Sequence, residues 1–338
     1  MTIPSRIVIR TSIVLVLVSL AAAQQYRITD LGTFSGGSVS EGNAVNVLGQ
    51  VAGYARFANN NAHGFLWSEG TGLLDLGAIA PETNFSVGQA INSLGDVAGY
   101  SDYNELLAQH AVLWTHGKLN DLGTLPGGSI SQANGINDLD QVAGFSNGSG
   151  ASPHAILWSK ATGMQDLGTL PGGYYSQGLA INTSGSVAGY SNAGDGQWHG
   201  FVWSKPAGIQ ELPNLPGATT ASANGIDDFG EVVGGSGNFA VLWHNDQRHT
   251  AENLGTLPGG GWSTAFAMND DGEVVGWSGY TAFLWTHKKG MQDLNSLIPG
   301  NSGWSLSIAT SINLRGQITG QGTINGQQHG FLLTPVSH

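Results

Sequence analysis

Cysteine is absent from all 338 residues, which excludes disulfide staples, thiolate metal sites and lipidation through a thiol. Positive charge is scarce: Lys and Arg number 11 against 23 Asp and Glu, for a formal charge of −12. Nucleic acid and anionic membrane surfaces, which are held by clustered cations, are poor partners for such a chain. Long hydrophobic runs are missing too, and the apolar stretch Ile13 to Leu20 falls short of the about 20 residues a membrane helix needs. Linear catalytic signatures are also lacking, with no Gly-x-Ser-x-Gly elbow, no His-Glu-x-x-His and no phosphate loop ending in Gly-Lys-Ser/Thr.

The N-terminus has the layout of a secretory leader. Arg6 and Arg10 precede the apolar stretch, and Ala21-Ala22-Ala23 precedes Gln24, so cleavage is expected after Ala23 and the mature protein is expected outside the cytoplasm. Residues 24 to 338 then form one domain. Its 53 glycines and its 10% of charged residues suit many short strands joined by tight turns.

A repeat organises that domain. Asp121-Leu-Gly-Thr-Leu-Pro-Gly-Gly recurs from Asp166 and, with Asn, from Asn253, and looser copies start at Asp30, Asp75, Glu211 and Asp293. Successive starts are separated by 45, 46, 45, 45, 42 and 40 residues, a supersecondary period repeated seven times. Each unit also carries Ile-Asn-x-x-Gly-x-Val-x-Gly, as at Ile91 to Gly99, and a His-Ala/Gly-x-Leu/Val-Trp run, as at His110 to Trp114. These segments are β-branched and aromatic and are bounded by Gly, Asn, Asp or Pro, which predicts four strands per unit, a to d. Asn-x-x-Gly is the a-to-b hairpin turn, with Asp140 tolerating the glycine conformation in the third copy. The chain opens on a lone d-like strand, 26-32, and its last unit stops after strand c. The expected fold is therefore all-β: a seven-bladed β-propeller of four-stranded blades whose last blade is closed by the N-terminal strand.

The three blocks together, in fixed order from Tyr26 to Leu333, resemble the bacterial extracellular repeats of the HAF family. That resemblance implies bacterial origin, export and a propeller, and it carries no activity. Some members end in a hydrophobic and basic sorting tail, which Thr334-Pro-Val-Ser-His338 does not match.

The recurring Trp67, Trp114, Trp158, Trp203, Trp243 and Trp285 are expected between blades, each contributing about 4 to 6 kcal/mol gross through burial. The recurring His63, His110, His154, His199 and His329 give way to Phe239 and Thr281 in two copies, so a metal ring is rejected in favour of hydrogen bonding to neighbouring backbone at the strand start. Neither the acidic turns nor any other pattern matches a calcium loop, and no cofactor is implied.

Residues that break the repeat are more informative. The d-to-a and b-to-c links share one face of a propeller, and they concentrate aromatics there: Tyr103, Tyr174, Tyr175, Trp198, Trp262 and Trp304 are the candidate ligand-binding residues. They suggest a monomeric, non-catalytic module binding a glycan or a protein. A carbohydrate-active enzyme, with two carboxylates at the channel mouth, and an adhesive scaffold are the alternatives.

Overall fold

The computed structural model describes residues 25–80, 85–103, 108–149 and 152–336. The expected leader and its expected cleavage site lie outside these residues. Seven antiparallel sheets of four strands make up the fold. Six are continuous in sequence, spanning 40–75, 86–121, 131–168, 176–211, 221–255 and 263–293, and these are blades 1 to 6. Within each the strands follow chain order a, b, c, d. Blade 7 combines Trp304–Ile312, Ile318–Ile324 and Gln327–Pro335 with the N-terminal strand Tyr26–Asp30. Tyr26 pairs with Pro335, Ile28 with Leu333 and Asp30 with Phe331, so the ring is closed as the chain ends suggested. One 3-10 turn, Leu294–Ser296, is the helical element among the described residues. None of the described helices is long and apolar enough to cross a membrane.

The a strands touch one another all the way round and form the innermost layer. In blades 1 to 6 the a–b pairing slips by one residue at a bulge, as between Gly178 and Ala180 in blade 4, and blade 7 slips twice. That bulge explains the glycine of Val-x-Gly. A Cβ on Gly189 would sit 1.9 Å from the carbonyl oxygen of Gln177, so strand b can pass the bulge only without a side chain.

Apolar layers between blades hold the ring together. Trp67, Trp114, Trp203, Trp243 and Trp285 are buried, and Trp158 is half-buried. Trp114 donates its indole N–H to the Leu76 carbonyl at 2.7 Å, and Trp243 does the same to Pro213, each reaching back into the preceding blade's last link. Buried serines add polar stitches where disulfides are missing. Ser176 accepts the N–H of Ala155 on strand c of blade 3 and donates to the Gly168 carbonyl, tying one blade to the next. Ser131 and Ser263 repeat both bonds at their own joints. With donor and acceptor both used, such bonds are stabilising rather than a burial penalty.

Candidate functional site

The recurring histidines are structural, and their partner is a side chain rather than the backbone expected from sequence. His63, His110, His154 and His329 each set Nδ1 against the carboxylate of the repeat aspartate on strand d, at 2.8 to 3.1 Å. The same aspartates cap the turn, as where Asp166 Oδ1 accepts the Gly168 N–H at 2.8 Å. His199 sits between Asp195 and Glu211. Each imidazole is thus committed to carboxylate of its own blade.

On the face formed by the d-to-a and b-to-c links, blade 4 gathers aromatics by a simple local device. Asn192, at the end of strand b, accepts the backbone N–H groups of both Tyr174 and Tyr175 at 2.8 Å, which fixes the link that carries them. Asn192 is also the cross-strand partner of Trp198 at the start of strand c. Tyr190, two residues before Asn192, is the cross-strand partner of Gly200. The outcome is a triad: Tyr175 and Tyr190 stack with centroids 6.3 Å apart, and Trp198 meets them edge-on at 5.3 and 5.5 Å. Gln177 donates to the Tyr175 hydroxyl. Burial, then the neighbouring Tyr175, pushes the Tyr190 phenol well above its ordinary range, so it stays a neutral hydroxyl. Tyr174 and Trp198 remain substantially exposed, at 66% and 41%.

Beside this triad the repeat is broken. The strand-b position of Tyr190 holds Tyr54, Tyr100 and Phe145 in blades 1 to 3 and Trp277 in blade 6, but Gln321 in blade 7 and, with no side chain at all, Gly235 in blade 5. The linking position that holds Tyr175 holds Thr220. A whole blade therefore lacks the ring that fills its neighbours, and a cleft of about 860 Å³ opens there. Tyr174, Tyr175, Tyr190 and Trp198 make one wall, Ser222, Asn224 and the backbone of Gly235 and Gly237 make the floor, and Thr264 and Phe266 of blade 6 make the far side. Its lining consists of aromatic faces, hydroxyls and an amide, without a fixed charge.

The six residues singled out from sequence divide. Tyr174, Tyr175 and Trp198 come together in this cleft. Trp262 belongs to a second cluster on blade 6, with Trp277 at 6.5 Å and Tyr280 at 5.7 Å. Tyr103 lies flat on His110 in blade 2, centroids 3.9 Å apart. Trp304 opens strand a of blade 7, half-buried against the core there and edge-on to Phe331 at 6.1 Å. Sequence reasoning missed Tyr190, Trp277 and Gly235, because it looked for aromatics in links. Aligning strand b across the seven copies would have exposed all three.

The opposite face, formed by the a-to-b and c-to-d turns, carries a second set of acids. A channel mouth of about 290 Å³ there is lined by Asp138, Asp227, Asp228 and Asp270 among the turn asparagines. Asp138 accepts the N–H of Ser93, Asp228 that of Thr183 and Asp270 that of Asp228, each a bond to the preceding blade. Nearby, His244 bridges Glu231 at 3.0 Å and Glu252 at 3.1 Å, which raises its affinity for a proton. These carboxylates hold turns and blades in register.

Seven four-stranded blades in a closed ring, with a lined cleft on one face, define the class: a seven-bladed β-propeller. Neither a family model nor a curated protein matches the chain. Solved structures similar to it include the extracellular domain of a putative one-component system from B. thetaiotaomicron, at 10% identity and TM-score 0.59, covering 94% of this chain and 40% of that one. The extracellular domain of a putative hybrid two-component system from the same organism gives 10% and 0.57, with 93% and 40% covered. A streptogramin B lyase gives 10% and 0.54, with 92% and 98% covered. The chain spans about two-fifths of the two extracellular domains. At such identities the likeness is one of fold.

Proposed function

We propose that this propeller is an exported, non-catalytic module that binds carbohydrate in the cleft over blade 5. The single observation that carries the reading is the missing ring at Gly235 beside the Tyr175–Tyr190–Trp198 triad. Sugar rings have apolar faces that stack on aromatic side chains, and equatorial hydroxyls that exchange bonds with Ser, Thr and Asn. The cleft offers both, and no charge that would select an ionic ligand. The leader-like N-terminus and the HAF-like repeats support an extracellular setting in which glycans are met.

The test is to refill the cleft. A Cβ on Gly235 would touch only the Thr264 side chain, at 3.5 Å and beyond, so Gly235→Tyr can enter the strand and place in the cleft the ring that blades 1 to 4 and 6 carry. On a glycan array, selective binding by the wild type that is lost in Gly235→Tyr and in Trp198→Ala supports the site. Binding retained by both variants places the ligand elsewhere and ends this assignment.

A further inference from the structure

The second aromatic cluster repeats the first at the same three structural positions. Trp262 stands in the link where blade 4 has Tyr175, Trp277 on strand b where blade 4 has Tyr190, and Tyr280 in the b-to-c turn, which in blade 4 leads to Trp198. One of its ring pairs repeats blade 4, Tyr280 standing edge-on to Trp262 at 85° as Trp198 does to Tyr175 at 88°, whereas Trp262 and Trp277 cross at 68° where Tyr175 and Tyr190 stack. Its rings are also open to solvent: Trp262 is 42% and Tyr280 74% exposed. Tyr280 holds φ 71°, a left-handed turn position that an aromatic residue rarely occupies. The cluster is contiguous with the cleft. Thr264, on the cleft's far side, is the cross-strand partner of Trp277 and lies two residues after Trp262. Between the two clusters lies blade 5, reduced to Gly235 and Gly237 with small hydroxyl and amide side chains, Ser222 donating to Asn224.

We infer that the cluster of Trp262, Trp277 and Tyr280 is a second sugar platform, and that one neutral, linear glycan chain lies across blade 5 with its residues stacked at both ends. This rests on the reading of the cleft as a carbohydrate site. It adds the class of ligand, a polymer rather than a mono- or disaccharide, because a short sugar can engage only one platform. Two linked contacts convert the second binding event into an intramolecular one, so affinity climbs with chain length until both are spanned.

Isothermal titration with neutral β-1,4-linked gluco-, xylo- and manno-oligosaccharides, from disaccharide to hexasaccharide, tests it on the full mature chain. For the series that binds, the hexasaccharide is expected at least about tenfold tighter than the disaccharide. Trp262→Ala and, separately, Tyr280→Ala should bring the hexasaccharide down to the disaccharide's affinity, while Trp198→Ala weakens every length. Both side chains are exposed, so folding is not at stake, and a thermal melt verifies it. Hexasaccharide affinity untouched by both blade 6 variants but lowered by Trp198→Ala overturns the second platform and leaves the cleft standing. An absence of binding by the wild type across all three series overturns the neutral-glycan reading and the platform with it.

Discussion

Asp227 occupies a position at which every other blade has asparagine, and replacing it should stabilise the protein at neutral pH. The turn asparagines form a buried belt: Asn46 donates to the Asn92 carbonyl at 3.0 Å, Asn137 to Asn182 at 3.0 Å, Asn182 to Asp227 at 3.0 Å, Asn269 to Asn313 at 3.1 Å and Asn313 to Asn46 at 2.7 Å. Asn92 donates instead to Asp140. At Asp227 an ionised carboxylate has no proton for the Asn269 carbonyl, so the belt is interrupted between blades 5 and 6. Asp227 is 5% exposed, and burial, assisted by Glu231 and Asp270, pushes its carboxyl up to about 6 from 3.8. Asp138, Asp228, His244 and Asp246 are the other titratable groups lining the spaces around it.

A carboxyl raised on folding destabilises in its ionised form. The penalty is full above about pH 6, falls as pH drops through that value and is gone below the unfolded value of 3.8. A rise of roughly two pH units at about 1.4 kcal/mol each puts it near 3 kcal/mol. The amide in Asp227→Asn would escape that penalty and would add one hydrogen bond of about 1 kcal/mol. Allowing for relaxation around the ion, the substitution should stabilise by about 2 to 3 kcal/mol at pH 7.5, or roughly 4 to 6 °C at about 2 °C per kcal/mol. The gain should shrink to about 1 kcal/mol or less at pH 4.5, where the native carboxyl is itself protonated and can donate. Thermal melts of both forms at the two pH values measure this. An equal gain at both, or none at pH 7.5, would refute the belt argument.

Closure makes a second demand: Thr29→Pro removes a ladder donor opposite Leu332 and should lower stability by about 3 kcal/mol or more, visible as a lower denaturant midpoint. Gly189→Ala places a methyl 1.9 Å from the Gln177 carbonyl and should prevent folding or cost over about 3 kcal/mol, read by expression and circular dichroism. Trp198→Ala should weaken glycan binding by about 1 to 2 kcal/mol, roughly five- to thirtyfold, with the melting temperature within about a degree or two because the ring is 41% exposed. Trp243→Ala, by contrast, deletes a fully buried ring and its bond to Pro213, and should destabilise by about 3 to 5 kcal/mol in the same melt.

The repeat made the architecture readable. Asn-x-x-Gly, Val-x-Gly and the Trp position are each imposed by a local requirement, namely a turn, a bulge and an inter-blade gap, so their recurrence reports strand order directly. The site was legible only where it departs from the repeat in a link, as at Tyr174, Tyr175 and Trp198. Trp304 shows the limit of that reasoning: its sequence context matches Trp262, yet strand a of blade 7 is longer, starting at Trp304 itself, and the ring packs against Phe331.

By itself the sequence determined the number of blades, the closing strand and the positions that must be Gly, Asn or Trp, because those depend on contacts repeated at one fixed period. Only the tertiary structure decided that Tyr190 and Trp198 converge, that Gly235 turns an absence into a cleft, and that Asp227 interrupts a belt. Each of these joins residues from different strands or blades, and the distance across a propeller face is set by how blades pack around the ring, which no single repeat contains.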